Sequence, residues 1–123
     1  MENNFEQISK VSGFMKHNGG LLFRDVSKTE FEFKSTIQDI HLNKREITHG
    51  GFICSLIDAG AGTAAHRSAE NAPCVTISLD LKFIGASRIG DEIIGNVNGS
   101  HSAIISFIFT FSLQPLSSLP QSL

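Results

Sequence analysis

The chain has 123 residues, with ten basic against twelve acidic side chains and a net charge of −2, enough for one domain with a real core and too few for a second. A balance this near neutrality gives no broad electrostatic footprint for nucleic acid or an anionic membrane, and no apolar run is long enough to span a bilayer. Two cysteines, Cys54 and Cys74, cannot alone build a zinc site; with an N-terminus lacking the basic and apolar blocks of a signal peptide, they fit a reduced, cytoplasmic setting. The expected partners are small molecules or further copies of the chain.

In chain order, Phe5, Ile8, Val11 and Met15 recur at helical spacing, which predicts a short amphipathic helix ending near Asn18-Gly19-Gly20. Leu21 to Val26 reads as a first strand and Thr29 to Ile37 as a second, with Phe31, Phe33 and Ile37 on one face and Ser27-Lys28 as the turn. The loop from Asp39 to Thr48 is polar enough to be exposed. Then His49-Gly50-Gly51-Phe52-Ile53 opens a long apolar run to His66, which predicts a helix buried on nearly every side and stopping around Glu70-Asn71-Ala72-Pro73. Asp58 is the one ionised group in its middle, and a carboxylate withdrawn from water needs a partner or a use.

Val75, Ile77, Leu79, Leu81 and Phe83 alternate with Thr76, Ser78, Asp80 and Lys82, the clearest strand pattern in the chain. Asp91 to Val97 and Ala103 to Leu113 are further extended segments, separated by Asn98-Gly99-Ser100. Residues 1–113 are expected to form one domain, and 114–123 an irregular tail. The turns are too short for parallel crossovers, so the class is α+β, an antiparallel sheet wrapped around one long helix. There is no glycine-rich nucleotide fingerprint.

Taken together at their separations, Asn43, His49-Gly50-Gly51, Asp58 and Pro73-Cys74-Val75-Thr76 resemble the hotdog-fold acyl-CoA thioesterases. The likeness is to the phenylacetate-pathway type and the related thioesterase-superfamily proteins, from about Gly20 to Val97. The resemblance implies the hotdog fold and hydrolysis of an acyl-CoA to a free acid and coenzyme A. It implies no metal and no cofactor beyond the coenzyme A of the substrate. It assigns the Gly50 amide to the thioester oxygen, and Asp58 to the role of general base or nucleophile. Thr76 would orient the acid or the water, and Asn43 and His49 would hold substrate or loop.

Elementary geometry adds a condition. An amide at a helix N-terminus lacks an intrahelical acceptor and favours developing negative charge. Asp58 lies eight residues further on, roughly 12 Å along the axis, so one thioester cannot reach both within one chain. The acid must come from a second copy related by a two-fold axis, in a homodimer or a dimer of dimers.

Each residue also has a plainer reading. Asn43 could form an Asx-turn, His49 a cap, Thr76 an ordinary strand face, and Cys54 is a packed thiol. Gly51 is placed with the substrate, and Arg67, Lys82 and Arg88 are candidates for the coenzyme A phosphates unless they are only solvated. His17, His41, His66 and His101 are expected at the surface. Two departures from the family stand out: no glycine lies between Asn43 and His49, and the chain finishes early in a Ser- and Phe-rich stretch. The second raises the expectation of an altered gene end, or of a product that folds poorly. The competing functions are a non-catalytic acyl-CoA-binding hotdog module and a hotdog hydratase; the hydratase's Asp/His pair and Asn-Pro segment are missing.

Overall fold

A computed structural model describes residues 4–99 and the strand at 105–111. Alternating apolar residues build its centre. Phe31, Phe33 and Ser35 point inward between Glu30, Glu32 and Lys34 along one strand, and Ile93, Gly95 and Val97 alternate in the same way on its neighbour.

The elements are β1 (Glu6–Gln7), α1 (Phe14–His17), β2 (Leu22–Asp25), β3 (Glu30–Thr36), a 3₁₀ turn (Asp39–His41), α2 (Gly50–Ser68), β4 (Glu92–Gly99) and β5 (Ile105–Phe111). The strands form one antiparallel sheet in the order β1-β2-β3-β4-β5. Helix α2 lies on it with Phe52, Ile53, Leu56, Ile57 and Ala64 against Phe23, Phe33, Ile93 and Val97. The α+β architecture of a sheet folded on one long helix is therefore as expected.

Close approach of helix and sheet depends on one ring. Phe33 is fully buried; a Cβ added at Gly60 of α2, or at Gly95 beside Phe33 on β4, would overlap that ring. The two glycines admit the aromatic between helix and sheet, where anything larger would force the layers apart.

Four expectations are corrected. The N-terminal helix is confined to Phe14–His17. Upstream, Gln7 pairs with Leu22 as a sheet edge, its side-chain oxygen accepts from Leu21 N and Ser9 N, and Val11 is 83% exposed. Strand pairing satisfies backbone groups that so short a helix would leave open.

The Val75–Phe83 segment is not a strand of the sheet, and from Pro73 to Ala86 no backbone hydrogen bond joins it to the other described residues. Its alternation is right for a half-buried strand, yet it pairs with neither edge of the described sheet. Val75, Ile77 and Ile84 are 88%, 93% and 93% exposed.

The loop from Asp39 to Thr48 is not uniformly exposed: His41 and Thr48 are buried, Thr48 by bonds of its amide and hydroxyl to Ser87 O. His41 is thus no surface residue. Finally, α2 is not buried all round. Gly51, Asp58 and His66 are exposed along one side, with Ser55 and Gly62 half-buried between them. The fifth extended segment is present as β5; the 114–123 tail lies outside the described residues. Among the described residues no helix is long and apolar enough to cross a membrane.

Candidate active site

Two separate places carry the polar residues singled out in the sequence. The first is the start of α2. His49 is the N-cap, and its Nδ1 accepts the Gly51 N–H at 2.9 Å. Phe52 N and Ile53 N donate to His49 O at 3.0 and 3.4 Å. Gly50 N–H has no acceptor among the described residues, so the helix begins with an amide free to donate. A Cβ at Gly50 would lie 3.6 Å from the Phe83 ring, which therefore covers the first turn. Because His49 Nδ1 accepts a bond, the imidazole proton of its neutral form sits on Nε2, on an exposed ring.

Asn43 supports this end from the loop. Its Oδ1 accepts from Arg45 N at 2.8 Å and Ile47 N at 3.4 Å, an Asx-turn that leaves the Nδ2 amide without a partner among the described residues. Within the same turn Glu46 adopts φ 61, a left-handed conformation in the stretch where the resembling family carries glycine.

The second place is the middle of α2. Thr76 Oγ1 donates to Asp58 Oδ1 at 2.5 Å, so the two residues, eighteen apart in sequence, meet as a pair. They line an open cleft of about 700 Å³ together with Ile8, Val11, Phe14, Met15, Cys74 and Val75. Asp58 is exposed in the single chain and not withdrawn from water as its apolar surroundings in the sequence predict. It faces outward on the uncovered side of the helix. Gly50 does not line this cleft.

The three basic candidates differ. Arg67 Nη1 donates to Asp25 at 2.8 Å, its Nη2 reaches Glu6 at 3.4 Å, and the guanidinium lies 4.7 Å over Phe23. It ties the last turn of α2 to β1 and β2. Lys82 is exposed. Arg88 keeps buried Nε and Nη2 atoms without a partner among the described residues, while its backbone N–H donates to Asp91 Oδ2 at 2.8 Å.

Two residues near this end have surroundings the sequence does not signal: His41, whose contacts come from three separate segments, and Phe83, whose alternation points to a sheet face but whose ring lies over Gly50. Of the cysteines, Cys54 is half-buried on α2 and Cys74 exposed. Among the described residues no three His, Cys, Asp or Glu side chains cluster as metal ligands.

Comparison with known proteins bears on this geometry. The family model described as thioesterase superfamily matches residues 46–101, which span both the Gly50 and the Asp58 positions. A Pseudomonas aeruginosa protein named as an esterase is 31% identical over 88 residues, 71% of this chain and 66% of the relative. Mouse acyl-coenzyme A thioesterase 13 is 28% identical over 98 residues, 76% of this chain and 70% of the relative. The chain thus spans about two thirds of the length of these relatives. Among solved structures, zebrafish thioesterase superfamily member 2 superposes with a TM-score of 0.73 at 18% identity, covering 85% of this chain and 78% of that one. S. sahachiroi AziG superposes at 0.70 and 18%, covering 84% and 86%. At that identity the likeness is one of fold, the hotdog arrangement of sheet and helix.

Proposed function

The chain belongs to the thioesterase superfamily, and from that premise we propose that it hydrolyses an acyl-CoA thioester to a free acid and coenzyme A at a site shared by two copies. The Gly50 amide polarises the thioester carbonyl at the start of α2, where the helix dipole favours the developing oxyanion. Asp58 of the neighbouring subunit supplies the carboxylate, either drawing a proton from the attacking water or itself attacking the carbonyl carbon. Thr76 holds that carboxylate by donating to Oδ1, leaving Oδ2 for the water or the substrate. His49 sets the entry into the helix and offers Nε2–H at the site, Asn43 braces the loop and offers Nδ2, and the bare backbone of Gly51 lets the substrate approach. Arg88 and Lys82 are assigned to the phosphates of coenzyme A.

The single observation that carries this reading is the division of the polar machinery between two ends of one helix. A carboxylate already oriented by a hydroxyl stands about 12 Å along the axis from an amide that lacks an acceptor. Neither suffices alone, and an antiparallel neighbour would bring each to the other. The extended, exposed Val75–Ile84 segment supports a pairing of copies. Its uncovered apolar side chains and unladdered backbone are what a second strand would cover. The assembly is a homodimer or a dimer of dimers, in a cytoplasmic setting, with no metal or separate cofactor in the chemistry.

The test is a hydrolysis screen over short, long and aromatic acyl-CoAs with the parent beside Asp58→Asn. Turnover by the parent and its loss in the variant are expected. Measurable acyl-CoA binding with no hydrolysis by the parent would point instead to a non-catalytic binding module.

A further inference from the structure

His41 belongs to none of the residues above, and its position points to a function beyond packing. We propose that His41 is a positioning residue for the start of α2, holding the His49 cap and with it the Gly50 amide in the orientation the reaction needs. The proposal rests on the thioester-hydrolase reading of Gly50.

The residue closes the 3₁₀ turn Asp39–His41 and is 2% exposed. Both ring nitrogens are engaged. Gln38 N–H donates to Nδ1 at 2.9 Å, so Nδ1 carries no proton. Nε2 stands 2.6 Å from Asn18 O, which can only accept, so Nε2 carries it. The ring is thereby held as the neutral Nε2–H tautomer, tied to the residue that ends α1 on one side and to its own turn on the other.

Two further contacts pass this order to α2. The imidazole stacks on Phe52, the third residue of the helix, with ring centres 3.7 Å apart and planes 7° from parallel. The His41 carbonyl accepts the His49 N–H at 2.8 Å. One buried residue therefore grips the helix start twice: by its ring against the first turn, and by its backbone on the cap residue whose Nδ1 holds Gly51 N–H. Nothing else among the described residues links α1, the loop and the helix start in this way. His41 lines no part of the Asp58 cleft, so it touches no reacting atom at that end. Its influence on chemistry runs through the amide it aims, and a donor displaced by about 1 Å can cost a hundredfold in rate.

The test compares three variants by steady-state kinetics and amide hydrogen exchange. His41→Phe keeps the stack but loses both ring hydrogen bonds. His41→Gln returns a donor towards Asn18 O. Ile93→Val, in the core of β4, serves as a control for general destabilisation. Expected for His41→Phe is a fall in kcat of about tenfold or more with KM within about twofold, and faster exchange at His49 and Gly51 than in the control. His41→Gln should recover most of the kcat. A folded His41→Phe with unchanged kcat, or a loss no larger than that of Ile93→Val, overturns the proposal.

Should His41→Phe fail to fold, the nitrogen-15 spectrum of the parent still decides. Protonated Nε2 with bare Nδ1 is expected at neutral pH, and the opposite tautomer refutes the arrangement. If the parent hydrolyses no thioester, the hydrolase reading fails by itself, and the exchange and tautomer measurements continue to report on His41.

Discussion

Asp58 gains its place from Thr76 and not from burial. The carboxylate is exposed in the single chain and accepts a hydroxyl hydrogen bond at 2.5 Å, so converting it to an amide removes charge without opening a cavity or orphaning a buried group. Asp58→Asn should leave the melting temperature nearly unchanged, since such surface changes stay within about 0.5 kcal/mol. Turnover should drop by about a hundredfold or more, the scale of a missing general base. A thermal melt beside a thioester assay separates the two effects, and an active variant would remove Asp58 from the mechanism. At Glu46 the prediction has the opposite sign for stability. Its φ of 61 is strained for a side chain bearing a Cβ and free for glycine. Glu46→Gly should therefore raise stability by about 0.5–1 kcal/mol in denaturant titration, in the loop that carries Asn43.

At the scale of elements, the contact between α2 and the sheet turns on the Phe33 ring between Gly60 and Gly95. Gly60→Ala should destabilise the protein by about 1–3 kcal/mol despite alanine's better helix propensity, because the methyl overlaps a buried ring that has nowhere to go. Gly62→Ala, two residues on, meets nothing within 4 Å and should stabilise by up to about 1 kcal/mol. Calorimetry on the pair checks both signs. These glycines also mark how much the chain discloses before it folds. Period-two alternation at Phe31, Phe33, Ile93 and Val97 was legible because each strand finds its neighbour within the chain. The same alternation from Val75 to Phe83 misled, because periodicity shows which side chains favour cover but not whether a strand pairs beside them. Helical spacing at Ile8, Val11 and Met15 failed for a related reason: Gln7 had a sheet edge to join. At the candidate site, spacing and resemblance singled out Asp58 and Thr76, which the fold brings into hydrogen-bond contact. The surroundings of His41 were not legible, since Asn18, Gln38 and Phe52 converge on it only in the folded chain, and the Arg67 contacts with Asp25 and Glu6 likewise form only across the sheet.

For the whole molecule, the proposed sharing of the site between two copies makes a prediction that no single-chain enzyme would obey. A chain carrying Asp58→Asn and a chain carrying Gly50→Val should each be inactive, yet mixing them after subunit exchange should restore roughly a quarter of parental activity. The half of the molecules that are mixed each hold one intact site of two. Absence of complementation, with sedimentation showing that subunits exchange, would place the reaction within one chain. Replacing Ile77 by aspartate should lower both the sedimenting mass and the activity together, since a charge at a 93% exposed apolar position is harmless unless another copy must cover it.

The uncovered apolar strip from Val75 to Ile84 also shapes the early life of each newly made polypeptide. Until the proposed pairing covers it, such a molecule presents unladdered backbone beside bare isoleucine and valine, the surface that recruits strangers into aggregates. Abundance then governs quality. On the proposed pairing, dilution should leave the lone form exposed to clumping or proteolysis, whereas in plenty mass action should draw it into company. Its yield on expression should therefore rise more steeply than its rate of synthesis.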